Sequence, residues 1–262
     1  MIYQTNDFMK IVIAPFFKNM EDNLKGIVSN FSSTGTMFVQ GRRNTIKTFP
    51  LGDITVNVKS FRKPNIINTV AYRFFRKSKA RRSFEYASLL LEKGIGTPQP
   101  VAFFENMGAL GFKDSYYISE HLTPDLTFRE LVEVPGCPDH ENILRQFTRF
   151  CFFLHEAGVE FKDHSPGNTL IVNKGNGQYA FYLVDLNRMD FHDHIDFDLR
   201  MENLKRLTPK EEMVRVMSSE YAKLYNKPEA EVFESLWQKT SEFQRKFWRK
   251  RKMKKRLKFF GK

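Results

Sequence analysis

Cysteine is scarce in this sequence: Cys137 and Cys151 are the only two. Two thiols cannot build a disulfide framework, which excludes a stapled secreted mini-protein and fits a reducing compartment. Long apolar runs are missing as well. The longest, residues 11–17, is interrupted by Pro15 and falls far short of the ~20 residues that cross a bilayer. Residues 1–7 have no basic stretch leading into an apolar one, so no signal peptide is expected. The composition also excludes a collagen-like fibre. What is present, 41% hydrophobic and 27% charged residues over 262 positions, describes a folded chain long enough to bury a core in one large domain or two lobes.

Acidic residues are absent from 243–262, where eleven Lys and Arg supply nearly all of the net charge of +12. Phe243, Phe247, Trp248, Met253, Leu257, Phe259 and Phe260 lie among them. A cationic segment carrying large apolar side chains suits an anionic membrane surface, where each Lys or Arg adds up to ~1 kcal/mol. A solvated, partly helical tail is the plainer alternative. Nucleic acid ranks lower, because the rest of the chain shows no recognisable nucleic-acid module. A second stretch without acids, residues 59–82, reads mainly as a solvated helix face.

The apolar pattern predicts an amphipathic helix over 16–31, then strands at 37–39, 45–49 and 54–61 separated by turns at 41–44 and 50–53. A helix over 78–93 follows, stopped by Gly94 and Pro98, and then strands at 99–105 and 116–122. Beyond Leu122 the pattern turns helical, at 128–133, 141–158, 197–207, 209–225 and 228–250, with short strands at 169–172 and 180–184. A strand-rich part followed by a helix-rich part predicts an α+β, bilobal architecture. Its boundaries are expected at 1–122 for a sheet lobe with one main helix, 123–242 for a helical lobe, and 243–262 for the tail.

The chemistry concentrates between Phe161 and Val172. Asp163, an Asn five residues on (Asn168), and then an apolar strand reproduce the catalytic-loop spacing of kinases. Phosphoryl transfer needs a carboxylate to orient the acceptor hydroxyl and take its proton, and oxygen ligands to hold Mg²⁺ against the phosphates of ATP. Seventeen residues after Asn168, Asp185 ends the second short strand, so the strand pair is expected to bring Asn168 and Asp185 to the metal. Lys59 ends an alternating strand, as a phosphate-binding lysine would. Glu85 sits in the following helix, where it is expected to pair with Lys59. Residues 118–122, including Glu120 and Leu122, read as a hinge strand whose backbone would bind adenine. Each feature alone occurs by chance, and their order along the chain carries the inference.

These blocks resemble the lipopolysaccharide kinases, the Kdo/WaaP-type sugar kinases of the protein-kinase-like superfamily. The likeness runs from about residue 37 to 207, through Lys79 to Pro98, Leu154 to Leu170, Leu183 to Arg188, and Leu199 to Leu207. It implies a protein-kinase-like fold that moves the γ-phosphate of ATP to a sugar hydroxyl of the lipopolysaccharide inner core, at the inner face of the bacterial inner membrane. It assigns Asp163 as base, Asn168 and Asp185 as Mg²⁺ ligands, and Lys59 with Glu85 as the phosphate-positioning pair. Partners would be a lipid-linked anionic glycan and, through residues 243–262, the membrane surface; nothing in the sequence bears on oligomeric state.

The sequence departs from the kinase pattern in several places. Phe161 stands where the H-R-D histidine would be, and Asn187 where the D-F-G glycine would be. The glycine-rich loop shrinks to residues 41–44, so Gly41 with Arg42 or Arg43 is expected over the phosphates. No A-P-E motif follows Asp185, which argues against a protein substrate. A pseudokinase that binds a partner or membrane, and a kinase-fold enzyme with a protein or aminoglycoside acceptor, are the competing readings. His192, His194 and their acidic neighbours read as an exposed loop rather than a metal centre. His155 reads as a packing residue, Cys151 as core, and His164 as structural rather than a substrate contact.

Overall fold

The computed structural model describes residues 2–6, 9–41, 44–61, 77–108 and 111–259. The chain divides into two compact units, one made of Met1–Thr123 with Asp185–Asn187, the other of Pro124–Val184 with Arg188–Lys262.

The first unit is built on a seven-stranded sheet. In chain order its strands are β1 (Ile2–Asn6), β2 (Met9–Ile13), β3 (Thr36–Gln40), β4 (Asn44–Leu51), β5 (Ile54–Phe61), β6 (Pro100–Gly108) and β7 (Gly111–Glu120). They lie side by side as β1-β2-β6-β7-β5-β4-β3, every pair antiparallel. Period-two alternation puts Val56 and Val58 of β5 in the core. The register lines up Ile13, Ala102, Ile118 and Val58, all buried, as one row across four strands. The row continues to Lys47 of β4, whose buried ammonium donates to the carbonyls of Phe31 at 2.7 Å and Thr34 at 2.8 Å. The turn after helix α1 (Glu21–Ser29) thus has its carbonyls satisfied from the sheet. Helix α2 (Lys79–Glu92) starts on Ser78, whose hydroxyl accepts from the Arg81 N–H. Its stripe of Ala80, Ser83, Phe84, Ala87 and Leu90 is buried, and the helix packs on β5, β6 and β7. Full burial of Phe84, edge-on against Phe103, contributes about 2–3 kcal/mol of transfer free energy.

The second unit is mainly helical. Strands β8 (Leu126–Thr127), β10 (Thr169–Gly175) and β11 (Gln178–Leu183) form one small sheet, and β9 (Val159–Phe161) pairs with β12 (Met189–Phe191). The β10–β11 hairpin closes through Asn176 and Gly177, both at positive φ, the residue pair such two-residue turns favour. Helix α3 (Phe128–Glu133) opens on a capping box between Thr127 and Glu130. Helix α4 (His140–Glu156) buries Ile143, Leu144, Phe147, Cys151, Leu154 and His155 on one face. It ends at Gly158, where φ is +74° and a Cβ would lie 2.0 Å from the His192 carbonyl oxygen. Only glycine lets β9 start there. Helices α5 (Phe197–Leu204), α6 (Glu211–Tyr225) and α7 (Glu229–Phe259) complete the unit.

Several elements differ from the sequence reading. The helix expected over 16–31 is a 3-10 turn at Pro15–Met20, opened by Pro15 in the first-turn position that proline tolerates, followed by α1 over Glu21–Ser29. Strands β1, β2, β8, β9 and β12 had no expectation attached. The helix expected at 228–250 runs on to Phe259, so no break in secondary structure separates residues 243–259 from what precedes them.

Candidate active site

The first unit carries Lys59 and Asp185. Lys59 lies on β5 between Ile46 and Tyr117 of the flanking strands. Its ammonium reaches Asp185 Oδ1 at 2.6 Å and stands 5.4 Å from the centre of the Phe61 ring. The same carboxylate oxygen accepts a bond of 2.7 Å from the Asn187 side-chain amide. Asp185 Oδ1 is thus doubly engaged, and among the described residues no hydrogen bond reaches Oδ2. Asn187, at the position read as a lost glycine, therefore has a role of its own and orients the aspartate. Sequence reasoning missed this, although the i, i+2 spacing of an amide and a carboxylate is a usable signal.

Glu85 corrects an expectation. Its carboxylate bonds Arg81 Nε and Lys77 Nζ, each at 2.7 Å, and not Lys59. Arg81 is one helical turn earlier on the same face, and Lys77 precedes the cap, so both meet Glu85 locally. Burial pushes the Glu85 carboxyl up, but these two bonds outweigh it and hold the group below the usual carboxylate range.

At the expected hinge, β7 ends on Glu120, paired with Val56. The Glu120 N–H donates to the Gln99 carbonyl at 2.9 Å and the His121 N–H to that of Thr55 at 2.8 Å. Those donors serve the sheet, and half-buried Leu122 lies two residues past the end of β7. In the turn after β3, the Gly41 N–H donates to the Asn44 carbonyl at 3.0 Å. Arg42 and Arg43 lie outside the described residues.

The second unit carries Asp163 and Asn168. The loop after β9 is tied at both ends: His164 N–H donates to Phe161 O at 3.0 Å, and Lys162 N–H to Arg188 O at 3.1 Å. Asn168 Nδ2 donates to the Asp163 carbonyl at 2.8 Å, and the Asn168 carbonyl accepts from Val184 N–H at 3.0 Å. The five-residue spacing thus closes the loop on itself, and with Nδ2 engaged the amide presents Oδ1. The Asp163 carboxylate, 26% exposed, accepts from Arg188 Nη1 at 3.0 Å and Arg206 Nη1 at 3.4 Å. Neither arginine had been assigned a role from sequence.

Behind the loop lies a buried network. His155 Nε2 meets Asn203 Oδ1 at 3.2 Å, Nδ1 meets the Tyr221 hydroxyl at 2.8 Å, and Asn203 Nδ2 donates to Phe161 O at 3.0 Å. Because Asn203 donates to a carbonyl through Nδ2, its Oδ1 accepts, so His155 carries its proton on Nε2. Burial pushes the His155 ring down to about 3. His164, packed between Phe147 and Phe161, is fully buried, and burial brings it down to about 4, opposed by the Asn203 amide nearby. Both are interior residues. His192 bonds Glu160 at 2.9 Å, and donor atoms of Glu160, Asp190 and His192 fall within 4.8 Å of one another, but the Lys162 ammonium already sits on Asp190.

In the first unit Asp185 presents Oδ2, and in the second Asn168 presents Oδ1, each without a hydrogen bond among the described residues. Each is by itself an oxygen donor of the type Mg²⁺ prefers.

A mixed fold with an antiparallel sheet and a helical remainder, bearing a strand lysine on an aspartate and an Asp-x4-Asn loop, is the kinase-like architecture. A solved structure described as WaaP in complex with acyl carrier protein matches over 90% of this chain and 97% of its own, with a TM-score of 0.61 and 17% identity. That likeness supports the fold. The model of the lipopolysaccharide kinase (Kdo/WaaP) family matches residues 61–227, and the chain belongs to that family, which makes it a lipopolysaccharide kinase by class. No curated protein matches.

Proposed function

We propose that this chain transfers the γ-phosphate of ATP to a sugar hydroxyl of the lipopolysaccharide inner core, on Kdo or heptose. The observation that carries the reading is the 2.6 Å contact of Lys59 with Asp185, steadied by Asn187. Lys59 would bind phosphate oxygens, and Asp185 and Asn168 would hold Mg²⁺. The bound Mg²⁺ supplies neutralisation of charge on the phosphates. Asp163 orients the acceptor hydroxyl and takes its proton as the acceptor oxygen bonds to γ-phosphorus and ADP leaves. With Glu85 turned to Lys77 and Arg81, it serves to order the start of α2, and Asp185 positions Lys59. Gly41 and Arg42 are assigned to the phosphates, and the backbone at Glu120 and Leu122 to adenine.

The acceptor is lipid-linked, and residues 243–262 fit attachment to an anionic surface at the cytoplasmic face of the inner membrane. Among the described residues no helix is long and apolar enough to cross a membrane. The test is transfer of label from ATP to a Kdo-bearing lipid acceptor in the presence of Mg²⁺, with product identified by mass spectrometry. Asp163→Asn should lower the rate about 10²–10⁴-fold. Full activity in both Asp163→Asn and Asp185→Asn would refute the assignment. Nucleotide-dependent thermal stabilisation without transfer to any sugar acceptor would favour the pseudokinase.

A further inference from the structure

Asp163 holds more positive charge than a proton acceptor needs. Arg188 Nη1 spans both its oxygens, at 3.0 and 3.3 Å, and Arg206 Nη1 adds a contact at 3.4 Å to Oδ1. Two guanidiniums on one carboxylate leave a positive charge unmatched there. A base held this way has its lone pairs occupied. Each guanidinium is a planar fork with five N–H donors, and only Nη1 of each reaches Asp163. Arg188 is 58% exposed and Arg206 38% exposed, so the remaining donors have room for a ligand.

Arg206 is also held in place for binding an anion. Its Nη1 donates to the Lys162 carbonyl at 3.3 Å, and its plane lies 5.2 Å from the centre of the Phe243 ring. A cleft of about 150 Å³ opens beside it, between Lys162 and Lys205. Of the two acids lining that cleft, Glu202 is paired with Lys205, and Glu160 is hydrogen-bonded to His192. Burial and the neighbouring cations Arg206, Lys239 and Lys246 push the Lys205 ammonium below its ordinary range, as a positive field would.

The geometry points to Arg188 and Arg206 as an anion-reading pair for the phosphoryl acceptor. A carboxylate or phosphate on an acidic sugar takes the place of Asp163 on these guanidiniums. The neighbouring hydroxyl is thereby positioned, and the Asp163 oxygens are freed to take its proton. This rests on the reading of Asp163 as the base. Arginine suits the role better than lysine, because its fork grips either oxyanion through two parallel bonds.

The experiment uses the full chain with ATP, Mg²⁺ and three acceptors: a Kdo-bearing lipid, the same lipid with its carboxyl reduced to an alcohol, and the same lipid dephosphorylated. Arg188→Gln and Arg206→Gln should each raise KM for the intact lipid about 10- to 100-fold and leave KM for ATP within about twofold. Both should lose the wild-type preference over whichever modified lipid lacks the anion that is read, which identifies that anion as carboxylate or phosphate. Arg206→Lys should recover only part of the loss. Equilibrium binding of the three lipids, which needs no turnover, carries the same comparison, and unchanged melting temperatures show that the variants fold. A wild-type protein indifferent to both modifications, variants that slow all three acceptors alike, or variants that raise KM for ATP would overturn the inference. Asp163→Asn, assayed in parallel, separates the two levels. Full turnover in that variant removes the base itself, whereas a dead Asp163→Asn beside arginine variants of unaltered preference removes only the anion pair.

Discussion

Lys59 and Asp185 are 126 residues apart in the chain, and their side chains meet at 2.6 Å. One charge sits on a strand interior and the other at the end of a distant hairpin, so neither is placed by local sequence. The pair is largely screened from water on the lysine side, at 13% exposure, and open on the aspartate side, at 37%. A ligand can therefore reach the aspartate without dismantling the strand. Lys59→Met is expected to slow transfer about 10²–10³-fold, as loss of an electrostatic stabiliser does. It should also weaken nucleotide-induced thermal stabilisation. Lys59→Arg should rescue part of the binding and little of the rate. Transfer by Lys59→Met at the wild-type rate would remove the lysine from the site.

Glu85 gives a contrasting expectation. Its partners are Arg81, one turn earlier, and Lys77, just before the helix; both are partly exposed, and such pairs contribute about 0.2–1 kcal/mol each. Glu85→Gln should lower stability by no more than about 2 kcal/mol. Its effect on turnover should be far smaller than that of Lys59→Met in the same assay. A loss as large as that of Lys59→Met would mean that the glutamate exchanges Lys77 and Arg81 for Lys59 during turnover.

The contrast shows which parts of the site were legible in the sequence. Asp163 and Asn168 were legible because their five-residue spacing sits in order among the other kinase-like features, and the Asn168 amide bonds the Asp163 carbonyl across that loop. Strand β5 was legible because Val56 and Val58 alternate with polar residues. Glu85 was misassigned because a motif gives order along the chain, whereas partner choice depends on distance. Arg81 and Lys77 reach it first. Arg188 and Arg206 went unread because the charge they meet, Asp163, is 25 and 43 residues away in sequence. Short strands such as β9 and β12 carry too few residues to show a period, and exist because Gly158 lets their backbones approach.

Two buried imidazoles make stability sensitive to mild acid. His155 and His164 are held near 3 and 4, below the ~6.5 of an exposed ring. Their folded pKa values are depressed, so the unfolded chain takes up protons first as pH falls. Their contribution is complete above ~6.5 and is lost as pH drops toward 4, at up to about 1.4 kcal/mol per pH unit for each ring. Urea unfolding at pH 7.5 and pH 5 should show a lower midpoint at pH 5. His164→Phe should flatten the dependence, because it removes one of the two rings that burial holds below the ordinary range. A midpoint that stays constant from pH 7.5 to 5 would mean that one or both rings are charged in the folded protein.

The basic segment is the last case, and here helix continuity decides the experiment. Helix α7 buries Val232, Leu236 and Thr240, whereas Phe247, Trp248 and Met253 are about half exposed, at 47%, 51% and 50%. Phe243 still supports Arg206. Ending the chain after Phe243 therefore removes the eleven cations and the exposed aromatics without touching the core. The shortened protein should keep its melting temperature and its turnover on a detergent-dispersed acceptor. It should lose at least about tenfold in sedimentation with vesicles containing anionic lipid, since each cation near such a surface contributes up to ~1 kcal/mol. The full chain should lose the same binding as salt rises and the Debye length falls from ~10 Å at 0.1 M toward ~3 Å at 1 M. Equal sedimentation of the two chains would remove the membrane role.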